Sequence, residues 1–325
     1  MDILGPMKLF TSMVFCIFLV ACAADATSIP GTPTRPPSSP TAVVTKEEIT
    51  NYQSPTIAPS RTPRPTVIPL PTPRPSLTPD PSIPPLDLDA WKDLPVIPTV
   101  DPSISAIYEY GQTLGNDPHT FSIFGDCQTK PDEFFGVFET DPFVIVSLSP
   151  ELREVVDHFH GSFTRESPTS LDGTTPGSLL WTQWHRGEFG CSFAETPVEC
   201  ELRVHRPSFV IIQVGTHFES RNTEYLREII LHLMDEGVVP ILATKADNRE
   251  KDERINRDMW MLASEYDLPL WNFWAAVSHL PNRGLYTRDD RPLQGDIYLT
   301  ESALAIHRLT GLEALNVVWR VAAAR

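Results

Sequence analysis

The fold is decided by the stretch Phe121-Ser122-Ile123-Phe124-Gly125-Asp126-Cys127-Gln128. Its apolar start and its Gly-Asp ending predict a short strand that turns sharply at its carboxyl end. Gly125 allows a tight turn because glycine has no Cβ. Ligands and chemistry gather at the carboxyl ends of strands in α/β sheets. Cys127 is therefore a candidate nucleophile, and a buried, inert cysteine is the alternative.

Strands and helices alternate along the rest of the carboxyl-terminal part. Apolar runs typical of buried parallel strands lie at 208–215, 238–244 and 268–273. Apolar residues at helical spacing predict helices at 151–159, 224–236 and 254–266, and one or two more at 301–324. This alternation implies right-handed crossovers and a parallel sheet covered on both faces. The predicted fold is a three-layer α/β/α, doubly wound domain.

The first residues have the pattern of a secretory signal peptide. Lys8 precedes an apolar run from Leu9 to Val20, which is too short for a membrane-spanning helix. The run ends in Leu19-Val20-Ala21-Cys22, which resembles the lipobox of bacterial lipoproteins. The resemblance implies that residues 1–21 are removed and that a lipid on Cys22 anchors the protein to the outer face of the bacterial membrane. An ordinary signal peptide with an incidental cysteine is the alternative.

Residues 22–103 have a composition that cannot build a packed core. About 20 of the 33 prolines lie between Thr27 and Pro102, among many threonines and serines. Proline restricts its own φ and favours extended geometry before it. We therefore predict a disordered, semi-rigid stalk that holds a domain away from the membrane. A set of ligand motifs for proline-binding modules is the alternative.

Residues 104–325 are enough for one domain with a sizeable core. The chain has a formal net charge of −16, and charges nearly balance in the stalk, so the acidity belongs to this domain. An acidic surface argues against nucleic acid as a partner. The spacing of histidines, cysteines and carboxylates predicts no metal site and no cofactor. We expect a monomer.

The cysteines of the domain divide into a pair and a single residue. Cys191 and Cys200 lie close together in a polar, loop-like region of a chain with an export signal, which predicts a local disulfide. Cys127 is then left without a partner.

Four blocks of the domain resemble, in order, those of the SGNH/GDSL hydrolases, whose fold is a flavodoxin-like α/β/α sandwich. Gly125-Asp126-Cys127 resembles Gly-Asp-Ser, with Cys127 in place of the nucleophilic serine. Gly173 resembles the glycine of the second block, and Gly161 is the alternative. Gly215-Thr216-His217-Phe218 resembles Gly-x-Asn-Asp, with His217 in place of asparagine.

The last block departs most from the family pattern Asp-x-x-His. Here the sequence is Gly295-Asp296-Ile297-Tyr298-Leu299-Thr300. Tyr298 stands at the histidine position, and Asp296 lies one residue from the aspartate position. Tyrosine cannot act as a base at neutral pH because its pKa is normally about 10. Asp296 therefore has no histidine to orient.

The resemblance implies a cleft with defined chemical roles. Cys127 would attack an ester carbonyl, while the N–H groups of Cys127 and Gly173 stabilise the oxyanion. His217 would donate to the oxyanion or serve as the base. Asp126 and Gly215 would shape the cleft.

Two functions from different classes follow. The first is a surface-anchored hydrolase that removes ester or acyl groups from extracellular carbohydrate, lipid or envelope polymer. The second is a catalytically inactive binding module of the same fold at the cell surface. Four tryptophans are interpreted as core or rim residues, with a carbohydrate-binding cleft as the alternative: Trp181, Trp184, Trp271 and Trp274. His307 is interpreted as an ordinary helix histidine.

Overall fold

The computed structural model of the protein describes residues 87–324. The predictions on the signal peptide, on Cys22 and on most of the stalk lie outside these residues. The strands are β1 (Asp117–Gly125), β2 (Pro207–Gln213), β3 (Val239–Ala243) and β4 (Leu270–Trp271). The helices are α1 (Ile104–Leu114), α2 (Val137–Thr140), α3 (Pro142–Ser147), α4 (Pro150–His158), α5 (Pro176–Leu179), α6 (Pro197–His205), α7 (Asn222–Asp235), α8 (Arg254–Glu265), α9 (Phe273–Val277) and α10 (Glu301–Ala322). Short 3₁₀ helices span Ala90–Asp93 and Pro281–Gly284.

The four strands form a parallel sheet in the order β1-β2-β3-β4. Ile211 of β2 lies opposite Ile123 of β1 on one side and Ile241 of β3 on the other. A short parallel bridge between Gly125 and Ser170 continues the sheet beyond β1, at its carboxyl end. The sheet therefore brings segments that are far apart in sequence to one edge.

Side chains of the strands alternate between two faces, and helices cover both. Phe121 and Ile211 pack against α1, α4, α9 and α10. Val210 and Ile212 face the other way and pack against α5, α6, α7 and α8. The predicted three-layer, doubly wound α/β fold is confirmed.

The predicted strand at 268–273 is shorter in the structure. Only Leu270 and Trp271 belong to β4, and α9 begins at Phe273. The Asn272 side chain accepts a hydrogen bond from the backbone N–H of Ala275, which makes Asn272 the helix N-cap. A capping residue inside the apolar run thus ends the strand.

The packed part of the chain begins before Ile104, inside the segment predicted to be stalk. Trp91 is fully buried, and its ring meets that of Trp274 edge-on at 5.0 Å. The Asn272 side-chain amide donates to the backbone oxygen of Trp91 at 2.8 Å, and the Asn272 N–H donates to that of Val96 at 3.0 Å. Proline content obscured this anchor in the sequence, and within the described residues the segment 91–103 belongs to the packed domain and not to the stalk.

None of the helices between residues 87 and 324 has the length and apolar character needed to cross a bilayer.

Candidate functional site

The turn after β1 holds Cys127 below the surface. A Cβ on Gly125 would overlap the Thr129 side chain, so this position needs glycine. The Thr129 N–H and hydroxyl both donate to the backbone oxygen of Asp126 at 3.0 Å, which closes the turn. Cys127 follows Asp126 and is only 3% exposed. The thiol is therefore a buried group at the carboxyl edge of the sheet.

Asp126 joins this turn to the loop after β2. Its carboxylate accepts hydrogen bonds from the Thr216 N–H at 3.1 Å and from the Gln128 N–H at 3.3 Å. Burial first and the nearby Asp247 carboxylate second raise the pKa of the Asp126 carboxyl to about 6, although these hydrogen bonds lower it. Asp126 is a positioning residue, because it fixes two of the four blocks against each other.

The surroundings of Cys127 oppose formation of a thiolate. Burial raises the pKa of the thiol far above its usual range, and the carboxylates of Asp126, Asp172 and Asp247 raise it further. The sulfur lies 3.9 Å from a carboxylate oxygen of Asp126, to which the S–H can donate. A thiol among negative charges stays protonated at neutral pH.

Tyr298 lies beside Cys127, as the alignment of the last block predicts. Burial is the main cause, and Cys127 the second, that raises the pKa of the Tyr298 hydroxyl to about 12. A hydrogen bond with the Tyr298 side chain in turn lowers the pKa of the Cys127 thiol, against the larger effects that raise it. The Gln128 side chain donates to the backbone oxygen of Ile297, which holds the first and last blocks together. Tyr298, where the sequence resemblance leads one to expect histidine, thus places beside Cys127 a neutral phenol that cannot accept a proton at neutral pH.

Asp296 is not brought to Cys127. Its carboxylate binds Arg288 at 3.1 Å and the Asn282 side chain at 3.5 Å, near the surface. A Cβ on Gly295, which stands at the aspartate position of the family pattern, would lie 2.5 Å from the backbone N of Arg288. The backbone therefore leaves no room for the family's aspartate.

His217 lies at the same sheet edge, after β2, and is half-buried. Burial lowers its pKa, the Arg249 guanidinium lowers it further, and Asp247 and Asp172 act in the opposite direction. Within residues 87–324, no hydrogen bond connects His217 to Cys127. The Asp172 and Asp247 carboxylates influence the pKa of both residues, so Cys127 and His217 have neighbours in common but are not paired.

The two candidate glycines of the second block lie in different places. Gly173 follows Asp172, whose charge reaches Cys127 and Tyr298, and has a φ of +82°. Gly161 follows the carboxyl end of α4, and its N–H donates to the Glu139 carboxylate. Only Gly173 is at the cleft.

Gly215 is required by packing. Its φ is +127°, and a Cβ there would overlap the Ile255 side chain. The loop after β2 can therefore approach α8 closely, which places Thr216 next to Asp126.

A buried ionic cluster lies next to Thr216, in the loop after β2. The Lys245 ammonium lies 2.8 Å from Asp247 and 2.7 Å from Glu250, and all three side chains are almost completely buried. Asp247 also accepts a hydrogen bond from the Thr216 hydroxyl at 2.9 Å, while the Thr216 N–H binds Asp126. In the sequence, the only signal for this cluster is the position of Lys245 and Asp247 just after a predicted strand.

The remaining candidates are structural. His307 is buried, its Nε2–H donates a hydrogen bond to the side-chain oxygen of Gln213 at 2.6 Å, and burial lowers its pKa to about 3. Cys191 and Cys200 form a disulfide with Cα atoms 5.2 Å apart. In the described part of the chain, no group of three or more histidines, cysteines or carboxylates is arranged to hold a metal ion.

Comparisons with known proteins give a likeness in fold. No family model matches the sequence, and no curated protein does. Among solved structures, the chain is similar to a predicted acylhydrolase from Bacteroides fragilis NCTC 9343, with 15% identity and a TM-score of 0.42 over 66% of this chain and 98% of the other. A GDSL-like lipase from Bacteroides thetaiotaomicron VPI-5482 is 14% identical, with a TM-score of 0.38 and coverage of 66% and 98%. The acetyl xylan esterase AlAXEase is 10% identical, with a TM-score of 0.36 and coverage of 61% and 99%. A GDSL-like lipase, an acylhydrolase and an esterase, as these proteins are named, are thus among the solved structures to which this chain is similar in fold.

Proposed function

We propose that the domain is a binding module that keeps the cleft of an SGNH-type fold and does not hydrolyse esters. The observation that carries the proposal is the pair formed by Cys127 and Tyr298. The pKa of the thiol is raised by burial and by three carboxylates, and that of the neighbouring phenol is raised to about 12. Nucleophilic catalysis by cysteine needs a lowered thiol pKa or an adjacent base, and this pair provides neither.

The nearest carboxylate does not replace the missing base. Transfer of the thiol proton to Asp126 is unfavourable, because the pKa of Asp126 is about 6 and that of the thiol is higher. Even an unperturbed thiol has a pKa of about 8.5, so the transfer is uphill by more than about 2 units. The two carboxylates beyond Asp126 increase this difference, because they destabilise the thiolate.

The second candidate is a weak, thiol-dependent hydrolase of ester or acyl groups on extracellular carbohydrate or lipid. It is favoured by the neighbours that Cys127 and His217 share, since the Asp172 and Asp247 carboxylates influence the pKa of both. In this alternative, a ligand that brings His217 towards the sulfur would supply the base.

Hydrolysis of p-nitrophenyl acetate by the full-length protein separates the two candidates. For a binding module, the wild type and Cys127→Ala should both show only the uncatalysed rate, with or without iodoacetamide. Turnover that iodoacetamide and Cys127→Ala both abolish would establish the thiol hydrolase instead. Turnover that survives Cys127→Ala would contradict both, because its chemistry would lie elsewhere.

We also propose that the protein is exported and held at the outer face of the bacterial membrane by a lipid on Cys22. The lipobox-like sequence supports this, and the proline-rich segment would place the domain at a distance from the bilayer. Labelling of cells with an alkyne fatty acid should mark the wild type and not Cys22→Ala. Equal labelling of both proteins would contradict the proposal.

A further inference from the structure

The segment between the Ser170 bridge and α6 forms a groove that is not part of the candidate site around Cys127. The groove encloses about 760 Å³. Its lining includes two aromatic side chains that are unusually exposed: Trp181 at 54% and Phe193 at 84%. Large aromatic residues that remain in water on a folded surface often mark a binding site.

The loop that presents these rings is held in place at several points. The buried His185 ring bonds the backbone oxygen of Glu195 at 2.7 Å and accepts from the Gly187 N–H at 2.9 Å. Arg203 of α6 forms an ion pair with Glu195 and donates to the backbone oxygen of Gly190 at 2.8 Å. The disulfide described above also joins this loop to α6. Such preorganisation reduces the entropy that a ligand must overcome on binding.

The polar groups around the rings define the ligand chemistry. Gln183, Arg186, Glu188 and Asp172 also line the groove, and they offer both hydrogen-bond donors and acceptors. Two features disfavour other ligands: the charges are mixed, which does not suit a polyanion, and the four charged or amide side chains of the lining do not suit an acyl chain. A pyranose ring presents an apolar C–H face to an aromatic ring and hydroxyl groups at its edge. We propose that this groove binds a neutral saccharide chain of pyranose units.

Asp172 relates the groove to the surroundings of Cys127. Asp172 lines the groove and also influences the pKa of Cys127 and of Tyr298. A Cβ on Gly173 would lie 3.9 Å from the Trp184 ring, which also lines the groove. A saccharide seated on Trp181 would therefore occupy a groove that shares Asp172 with the surroundings of Cys127. This inference rests on the proposed binding function, because it names the ligand class of that module.

Calorimetric titration of the full-length protein with cellohexaose and with chitohexaose tests the inference. At least one of the two should bind. Trp181→Ala and Phe193→Ala should each raise Kd about tenfold or more, where tenfold corresponds to about 1.4 kcal/mol. Phe143→Ala is the matched control, because Phe143 is 87% exposed on α3, outside the groove, and its loss should leave Kd unchanged.

The outcomes are distinct for the inference and for the proposed function. Absence of binding by both hexasaccharides, or equal affinity of Trp181→Ala and the wild type, would overturn the inference and leave the absence of ester hydrolysis untouched. Thiol-dependent hydrolysis together with Trp181-dependent binding would overturn the proposed function and keep the saccharide groove. Matching circular dichroism spectra and melting temperatures show that a loss of binding is not a loss of folding.

Discussion

Replacement of Asp126 by asparagine should remove a pH dependence from the stability of this domain. Asp126 is buried, and the pKa of its carboxyl is raised from 3.8 to about 6, by burial first and by Asp247 second. Asparagine has the same shape, and its side-chain oxygen can still accept from the Thr216 N–H. Loss of the weaker bond from Gln128, at 3.3 Å, should cost a similar amount at every pH.

The direction of the change in stability with pH follows from the number of protons that the folded and the unfolded protein bind. Between about pH 4 and pH 6, the folded protein keeps a proton on Asp126 that the unfolded chain has released. Stability therefore falls as the pH rises through this window. A difference of about 2 pKa units, at about 1.4 kcal/mol per unit, makes the loss about 3 kcal/mol. The variant should not show this loss.

Urea unfolding at pH 4 and pH 8 gives the change in the free energy of unfolding with pH, which is compared between the wild type and Asp126→Asn. The free energy of unfolding of the wild type should fall by about 2 to 3 kcal/mol more than that of Asp126→Asn over this range. Because both proteins share all other titrating groups, their contributions cancel. Asp235→Asn, which removes an exposed carboxylate, controls for the loss of one charge. Parallel pH profiles, or a steeper fall in Asp126→Asn, would refute the electrostatic account of this site.

Three further outcomes are expected. Gly125→Ala should lower the free energy of unfolding by about 1 to 3 kcal/mol or more, because the new methyl group overlaps the Thr129 side chain; thermal unfolding measures this, and an unchanged melting temperature would contradict the packing argument. Trp91→Ala should lower the free energy of unfolding by about 3 to 5 kcal/mol, since a fully buried indole is lost; a change below 1 kcal/mol in urea unfolding would mean that residues 87–103 contribute little to the domain. The peptides that contain Cys191 and Cys200 should be found linked by mass spectrometry without reduction, and Cys191→Ser/Cys200→Ser should cost about 2 to 3 kcal/mol for a loop of this length; two free thiols there would contradict the structure.

The sequence predicts a strand correctly where a long apolar run fits only a strand that is buried on both faces. The run at 208–215 becomes β2 at Pro207–Gln213, because a strand buried on both faces needs continuous apolar residues. The run at 268–273 was misleading, since a single capping residue, Asn272, converts its second half into a helix. Trp91 was missed because the prolines around it suggest an unpacked segment, while burial of one indole is a tertiary effect.

The site could be predicted only in part for a related reason. Alignment of blocks placed Tyr298 beside Cys127, because landmarks keep their order along the chain. It did not reveal that Thr216 joins Asp126 to Asp247, since such contacts depend on the register between strand ends. The direction of the Asp296 carboxylate, towards Arg288, depends on a residue with a φ of +62°, which no pattern in the sequence indicates.

The contact between Asn272 and the segment at 91–96 has a mechanical consequence. Within residues 87–324, a force that pulls on the chain from its amino-terminal side acts first on Trp91 and on the hydrogen bonds that Asn272 makes with Trp91, Leu94 and Val96. These bonds belong to the N-cap of α9, which directly follows β4, the strand at the end of the sheet opposite β1. Tension would therefore peel this segment away before it loads β1 and the turn that carries Cys127. If the protein is anchored through Cys22 as proposed, the domain can be stretched at its amino-terminal side while the turn at Cys127 keeps its shape.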